Sequence, residues 1–378
     1  MVTEPPSPAC NQQFTCGSRQ PASDAPLGAY PAACLPCQHR HHLPMNLRRT
    51  LLWLHRWAGV LAGLVILVIA VTGGSLVFEQ TIQRWLRPDL YPQRETANAD
   101  RIPISSVLVN HPRVQGIRLP RDETDSLALF SGPMAFYMDP RDGRLLGTRP
   151  RMGGWEQTMI KLHVNLLQGP TGGTIVVVAT CITLGLALTG LWLWWPLRIF
   201  GFWKGANFRR FNLDLHSIAG LYSSIFLLIL CITGLTLRYM HGEHPQPPQV
   251  RLPQPDQPLL SVDEAIRLAE AALPGARASS VEMPPPQRPV FRIQLAFPED
   301  GSPAGRSVAF ISRIDGKVLD LHSSREGSWS QLYQMAQLSI HMGSIGGTAT
   351  RWIAFLTCVA LVLQILSGYV LWWKRKSS

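Results

Sequence analysis

The sequence predicts a membrane α-helical fold: four transmembrane helices arranged as two parallel repeats, each a helix, an α+β domain and a second helix. Three observations predict it. Four predominantly apolar stretches reach the roughly 20 residues needed to cross a hydrocarbon core about 30 Å thick, in a chain whose mean hydropathy is only +0.07. The chain also repeats itself. HRWAG at 55–59 and HSIAG at 216–220 are offset by 161, which carries Thr72-Gly73 onto Thr233-Gly234 as well, and an offset of 178 carries His163 onto His341 and Trp194-Trp195 onto Trp372-Trp373. Finally, the two long segments between spans alternate apolar and polar residues as strands do.

Residues 1–45 are rich in Pro, Ala and Ser and hold Cys10, Cys16, Cys34 and Cys37, with His39, His41 and His42 close behind. Such a composition buries no core, so a disordered tail is expected. A zinc site on CLPCQHRHH lacks a second spaced ligand pair, and a translation start at Met45 is the other reading, because MNLRRTLLWLHRW leads naturally from cytoplasm into a span. Span one occupies 46–80. Residues 81–160 form a first α+β domain, with helix-then-strand character over ISSVLVNHPRVQGIRL and strands around LALF and MAFYMDPRDGRLLG, where Asp142-Gly143 marks a tight turn. Residues 161–197 hold an interfacial segment and span two. An unbroken helix from His163 to Trp195 would be about 48 Å long, more than the bilayer core, so it breaks at Gly169-Pro170.

A loop at 198–214 leads to span three at 215–240. The second α+β domain, 241–335, has the clearest signals: a Ser261 N-cap with Glu264 three residues on, a Pro-Gly stop, and strands VFRIQLAF and SVAFISRIDGKVLDLHS turning at Asp315-Gly316. Residues 336–378 repeat the interfacial segment, break between Gly343 and Gly347, and form span four. The two offsets differ by 17, which places an insertion in the second domain.

Arg48, Arg49 and Arg56, then Arg198, Lys204, Arg209 and Arg210, then Lys374, Arg375 and Lys376 all fall on one side of a four-span protein. The positive-inside rule makes that side cytoplasmic, with both termini, and leaves both domains outside. The net charge of +11 therefore reads as topology and contact with anionic membrane lipid, not as nucleic-acid binding. Cys181, Cys231 and Cys358 lie in spans as small apolar fillers, and the outer segments carry no cysteine for disulfides.

Ionisable side chains at membrane depth mark function when partners can be named. Here His55 and His216 open spans one and three at the cytoplasmic level, and His163 and His341 precede spans two and four near the outer surface. Neutral imidazoles in facing pairs inside a bundle suit haem iron. No CxxCH occurs, so two haem b are expected, with His55, His216, His163 and His341 as axial ligands. Gly59, Gly63 and Gly220 either leave room for a flat macrocycle or let helices approach closely. Met342 is an alternative to His341, and Arg56 either meets a haem propionate or marks the interface. His241 and His244, with Glu243 and Arg238, belong to an exposed loop or to the mouth of a substrate site; His111 and His322 lack metal-ligand spacing. The tryptophans at 192, 194, 195, 203, 372 and 373 form an interfacial belt. Neither a Rossmann fingerprint nor a P-loop is present, so electrons must come from a quinol or a cytoplasmic reductase.

The domains ending YMDPRDGRLLG and FISRIDGKVLDLHS resemble PepSY domains, and spans opening LHRWAG and closing TGLWLWWP or SGYVLWWKRK resemble the PepSY-associated transmembrane family, over about residues 46–376. The resemblance implies an iron-regulated oxidoreductase of the bacterial inner membrane, reducing ferric siderophore (Fe3+ to Fe2+) in the periplasm so that iron is released for transport. Two other readings stay open: a non-catalytic PepSY membrane protein that binds or regulates an envelope partner, and a permease carrying siderophore or haem. Few polar residues line the spans, which disfavours a hydrophilic path.

Overall fold

The computed structural model of the chain describes residues 45–92, 102–111, 113–239, 248–249, 258–285, 287–301 and 304–374. The cysteine- and histidine-rich tail and the loop with His241, Glu243 and His244 lie outside them. In chain order the first half contains α1 (Met45–Val77), α2 (Glu79–Leu86), α3 (Ile104–Leu108), β1 (Gly116–Arg118), β2 (Leu127–Ser131), β3 (Met134–Met138), β4 (Leu145–Pro150), α4 (Trp155–Asn165) and α5 (Gly169–Trp194). The second contains α6 (Phe208–Tyr239), α7 (Val262–Ala272), β5 (Arg277–Glu282), β6 (Val290–Ala296), β7 (Ser307–Ser312), β8 (Val318–His322), α8 (Trp329–His341) and α9 (Gly347–Trp373).

The four long helices α1, α5, α6 and α9 are apolar enough to cross a membrane, and the sheet lies between them in the chain. Large side chains such as Leu61, Leu64, Ile225 and Leu356 stay exposed along them, as lipid-facing positions do. Helix α6 begins earlier than hydropathy suggests. Residues 208–214, read from sequence as loop, are helical because Arg210 and Asp214 pair at i,i+4 spacing and Asp214 also accepts from the Trp203 N–H.

The eight strands among the described residues form one antiparallel sheet in the order β4-β3-β2-β1-β5-β6-β7-β8. The two outer segments, read from sequence as separate domains, thus meet strand to strand, Ile117 opposite Val281. One face packs beneath α3 and α7 through a shared core that includes Val107, Ile117, Leu129, Ala265, Phe291 and Ile311. Burying each large apolar side chain there contributes about 1.5–3 kcal/mol. Asp263 ties the halves again, its carboxylate accepting from Ile104 N–H at 2.8 Å and Ser105 N–H at 2.9 Å. The Ser261 hydroxyl accepts from Glu264 N–H at the start of α7, and Glu264 itself turns to Arg267. The expected tight turns are wider: Gly143 N–H reaches back to Asp139 and Gly316 N–H to Ser312, both glycines at φ +70°.

Two chain reversals position the functional histidines. After α4, Leu166 and Leu167 take left-handed backbone (φ 51° and 60°), and α5 starts at Gly169 with Pro170 in its first turn. After α8, Gly343 turns at φ +68°, where a side chain would collide with Ala354 and the Thr350 carbonyl. Helices α4 and α8 therefore fold back against α1 and α6 instead of extending the spans.

Candidate functional site

Each histidine emerges from one helix and meets a Ser/Thr-Gly dipeptide on a neighbouring one. His163 of α4 lies against Thr72-Gly73 of α1, His341 of α8 against Thr233-Gly234 of α6, His55 of α1 against Thr189-Gly190 of α5, and His216 of α6 against Ser367-Gly368 of α9. The glycine makes room for the ring. A Cβ at Gly73, Gly234, Gly190 or Gly368 would lie 2.9, 3.1, 3.4 or 3.6 Å from the corresponding imidazole Cε1.

The hydroxyl fixes the tautomer. Thr72, Thr189, Thr233 and Ser367 each donate their one proton to the carbonyl four residues back, at 2.6–2.7 Å. Their oxygens can then only accept from the ring, at Nδ1 distances of 3.2 Å for His163, 2.9 Å for His55, 3.0 Å for His341 and 3.3 Å for His216. Backbone carbonyls, which only accept, add to this at two of the rings: Ile69 on His163 and Gln364 on His216, both 3.0 Å away. Nδ1 is therefore the N–H and Nε2 carries the lone pair, the arrangement in which outer partners orient metal-binding imidazoles.

The histidines meet in two couples. His55 and His216 have ring centres 6.3 Å apart, and His163 and His341 6.1 Å. Two imidazoles on opposite sides of one metal, with bonds of about 2 Å and about 1 Å more from nitrogen to ring centre, would place those centres about 6 Å apart. Among the described residues no three His, Cys, Asp or Glu side chains gather as a metal site. Two opposed nitrogen donors without a third suit a metal that arrives inside its own equatorial ligand, as haem iron does.

The His55–His216 couple opens into a cavity of about 700 Å³, within the range of cofactor pockets. Its walls are mostly apolar; Gly59, Gly190, Gly220 and Gly368 thin them beside the rings, and Arg48, Arg56 and Arg209 line its loop-side end. Gly59 has no neighbour within 4 Å of a would-be Cβ. Gly63, by contrast, serves helix packing: the Tyr369 hydroxyl fills its Cβ position and donates to the Val60 carbonyl at 2.9 Å. From His55 to Gly73, and from His216 to Gly234, are 18 residues, so the two couples are about 27 Å apart along α1 and α6.

In the second couple the ring contact belongs to His341, and Met342 caps the end of α8. His111 packs on Phe136 and His322 pairs with Asp320, so neither joins either couple. The Ser/Thr-Gly dipeptides were the missed element. Their signal is present in the sequence, as TG and SG one turn before Trp194-Trp195 and Trp372-Trp373 and in the 161 offset.

The sequence profile of a family described as PepSY-associated TM region matches residues 52–375. No curated protein matches the chain.

Proposed function

The chain belongs to the PepSY-associated transmembrane family, and from that premise we propose that it is an inner-membrane electron-transfer protein whose two parallel repeats hold two b-type haems and which reduces ferric siderophore in the periplasm. The observation that carries the reading is the pair of facing imidazole couples, each Nδ1 occupied and each Nε2 left for iron. Bound haem would supply reversible one-electron transfer.

The chain's own residues do the rest. Ser/Thr-Gly dipeptides hold the rings, apolar walls exclude water, and Arg48 and Arg209 bring positive charge to the cavity end that the charge rule makes cytoplasmic. That end is where a quinol or a cytoplasmic reductase would deliver electrons. The His163–His341 couple is carried by α4 and α8, the helices that follow the sheet strands in the chain, and under the charge rule a ferric complex would approach from that side. One electron to Fe3+ gives Fe2+, which a hard-oxygen chelator holds far less tightly.

The optical spectrum of purified protein tests this. About two low-spin b-type haems per chain are expected. His55→Ala and His216→Ala should remove the same one, and His163→Ala and His341→Ala the other; a colourless folded protein, or loss in any other pairing, overturns the assignment. In vesicles, ferrous iron should be trapped outside only when an electron donor is inside.

A further inference from the structure

The cavity at the His55–His216 couple has a charged end and an apolar end, and the repeat builds both. The offset of 161 that carries His55 onto His216 also carries Arg48 onto Arg209 and Ile66 onto Leu227. All of these residues line the cavity. Each arginine stands seven residues before its histidine, two turns back on nearly the same helix face and about 10.5 Å along the axis. No Asp or Glu lines the cavity among the described residues, so the charged end is cationic throughout. Seven residues before the other two histidines stand Glu156 and Gln334, and the matched arginines therefore belong to this couple alone.

We infer that Arg48 and Arg209 form a paired carboxylate site, one arm from each repeat, that takes the two propionate groups of the inner haem. The inference rests on the haem reading of the couple. Haem is a flat apolar ring with two carboxylates on one edge. A cavity that is cationic at one end, apolar at the other and flanked by opposed imidazoles matches that distribution. Guanidinium is always charged and meets a carboxylate with two parallel N–H bonds, so each arginine offers a complete partner. Topology alone asks for Lys and Arg on this side, and Arg49 answers to that demand: it is exposed and does not line the cavity. Arg56 does line it, but its repeat counterpart is Ser217. With the carboxylates held at Arg48 and Arg209, rotation of the ring about the His55–His216 axis is blocked. Its apolar edge then lies toward Ile66 and Leu227, on the way to the other couple.

The test is a binding titration of the full chain carrying His163→Ala, which keeps the inner site alone, with haem and with haem dimethyl ester, whose carboxylates are blocked. This parent should bind haem about tenfold or more tightly than the ester, since one charge-assisted contact is worth about a decade or more. Arg48→Gln and Arg209→Gln should each weaken haem about tenfold and the ester little, and together they should abolish the preference. Arg48→Lys and Arg209→Lys keep the charge and should keep most of the preference. Arg49→Gln should bind as the parent does. Equal binding of haem and ester by the parent, a preference that survives in the double variant, or an Arg49→Gln that loses haem as Arg48→Gln does overturns the inference. Should the arginine variants fail to assemble, the parent's ratio of haem to ester decides. Wild type and parent without affinity for either compound overturn the proposed function as well; a parent that binds both equally overturns this inference alone.

Discussion

Alanine placed at each of the four clamp glycines should produce a graded series, because the room left for each ring differs. Ordinary carbon contacts are about 3.5–4.0 Å. A Cβ at Gly73 would be 2.9 Å from Cε1 and 3.4 Å from Nδ1 of His163, so the ring must move by about 0.6 Å. At Gly234 the approach is 3.1 Å, at Gly190 3.4 Å and at Gly368 3.6 Å. Overpacking of this kind costs about 1–3 kcal/mol, or about 5- to 150-fold in affinity at about 1.4 kcal/mol per decade. Moving His163 also stretches its 3.0 Å bond to the Ile69 carbonyl. Gly73→Ala should therefore lose the haem at the sheet-side couple while keeping the other. Gly234→Ala should weaken the same one less, and Gly368→Ala should bind both as wild type does. Haem per chain, measured after dilution, and the α-band spectrum report the order. Gly73→Ala with both haems intact beside a Gly368→Ala that has lost one would refute the clamp.

Two further outcomes concern the domain outside the spans. Glu79, read from sequence as part of span one, lies beyond the end of α1 at Val77; it opens α2 half-buried, and its pKa is raised above the usual carboxylate range first by burial and then by Glu156, against Arg149 and Arg118. The folded protein thus holds this proton more tightly than the unfolded chain, so the contribution to stability is full below the ordinary Glu value and is lost as pH rises through the folded one. Thermal midpoints between about pH 4 and about pH 7 should fall less steeply in Glu79→Gln; an unchanged slope places the effect elsewhere. Asp263→Ala removes two charge-assisted bonds to the first amides of α3 at a cost of about 1–2 kcal/mol. Hydrogen exchange at Ile104 and Ser105 should quicken about tenfold or more, and protection equal to wild type would show that the cap is dispensable.

Local chemistry made much of this architecture legible. Ser261 caps α7 because a hydroxyl before an apolar helical period has few other uses, and Asp-Gly at 142–143 and 315–316 marks reversals because glycine takes φ near +70° freely. Matching offsets of 161 and 178 pointed to which histidines would face each other. What escaped depends on distant partners. The three-residue β1 is too short for its alternation to announce an edge that pairs with β5. Residues 208–214 look like loop until Arg210 meets Asp214. A threonine and a glycine inside an apolar span read as packing residues, and only the folded chain shows a ring resting on one and bonded to the other.

The 18-residue interval between the couples has an electrical consequence. About 27 Å along the helix is about nine-tenths of a hydrocarbon core 30 Å thick, so on the proposed reading an electron passing from one couple to the other would cross nearly the whole voltage drop. A full crossing is worth about 2.3 kcal/mol per 100 mV, which makes this one about 2 kcal/mol per 100 mV. On the proposed topology, an inside-negative membrane would push that electron outward. Iron release would then follow the energised state of the cell: brisk in a polarised membrane, and slowed by an uncoupler even when electron donors are plentiful.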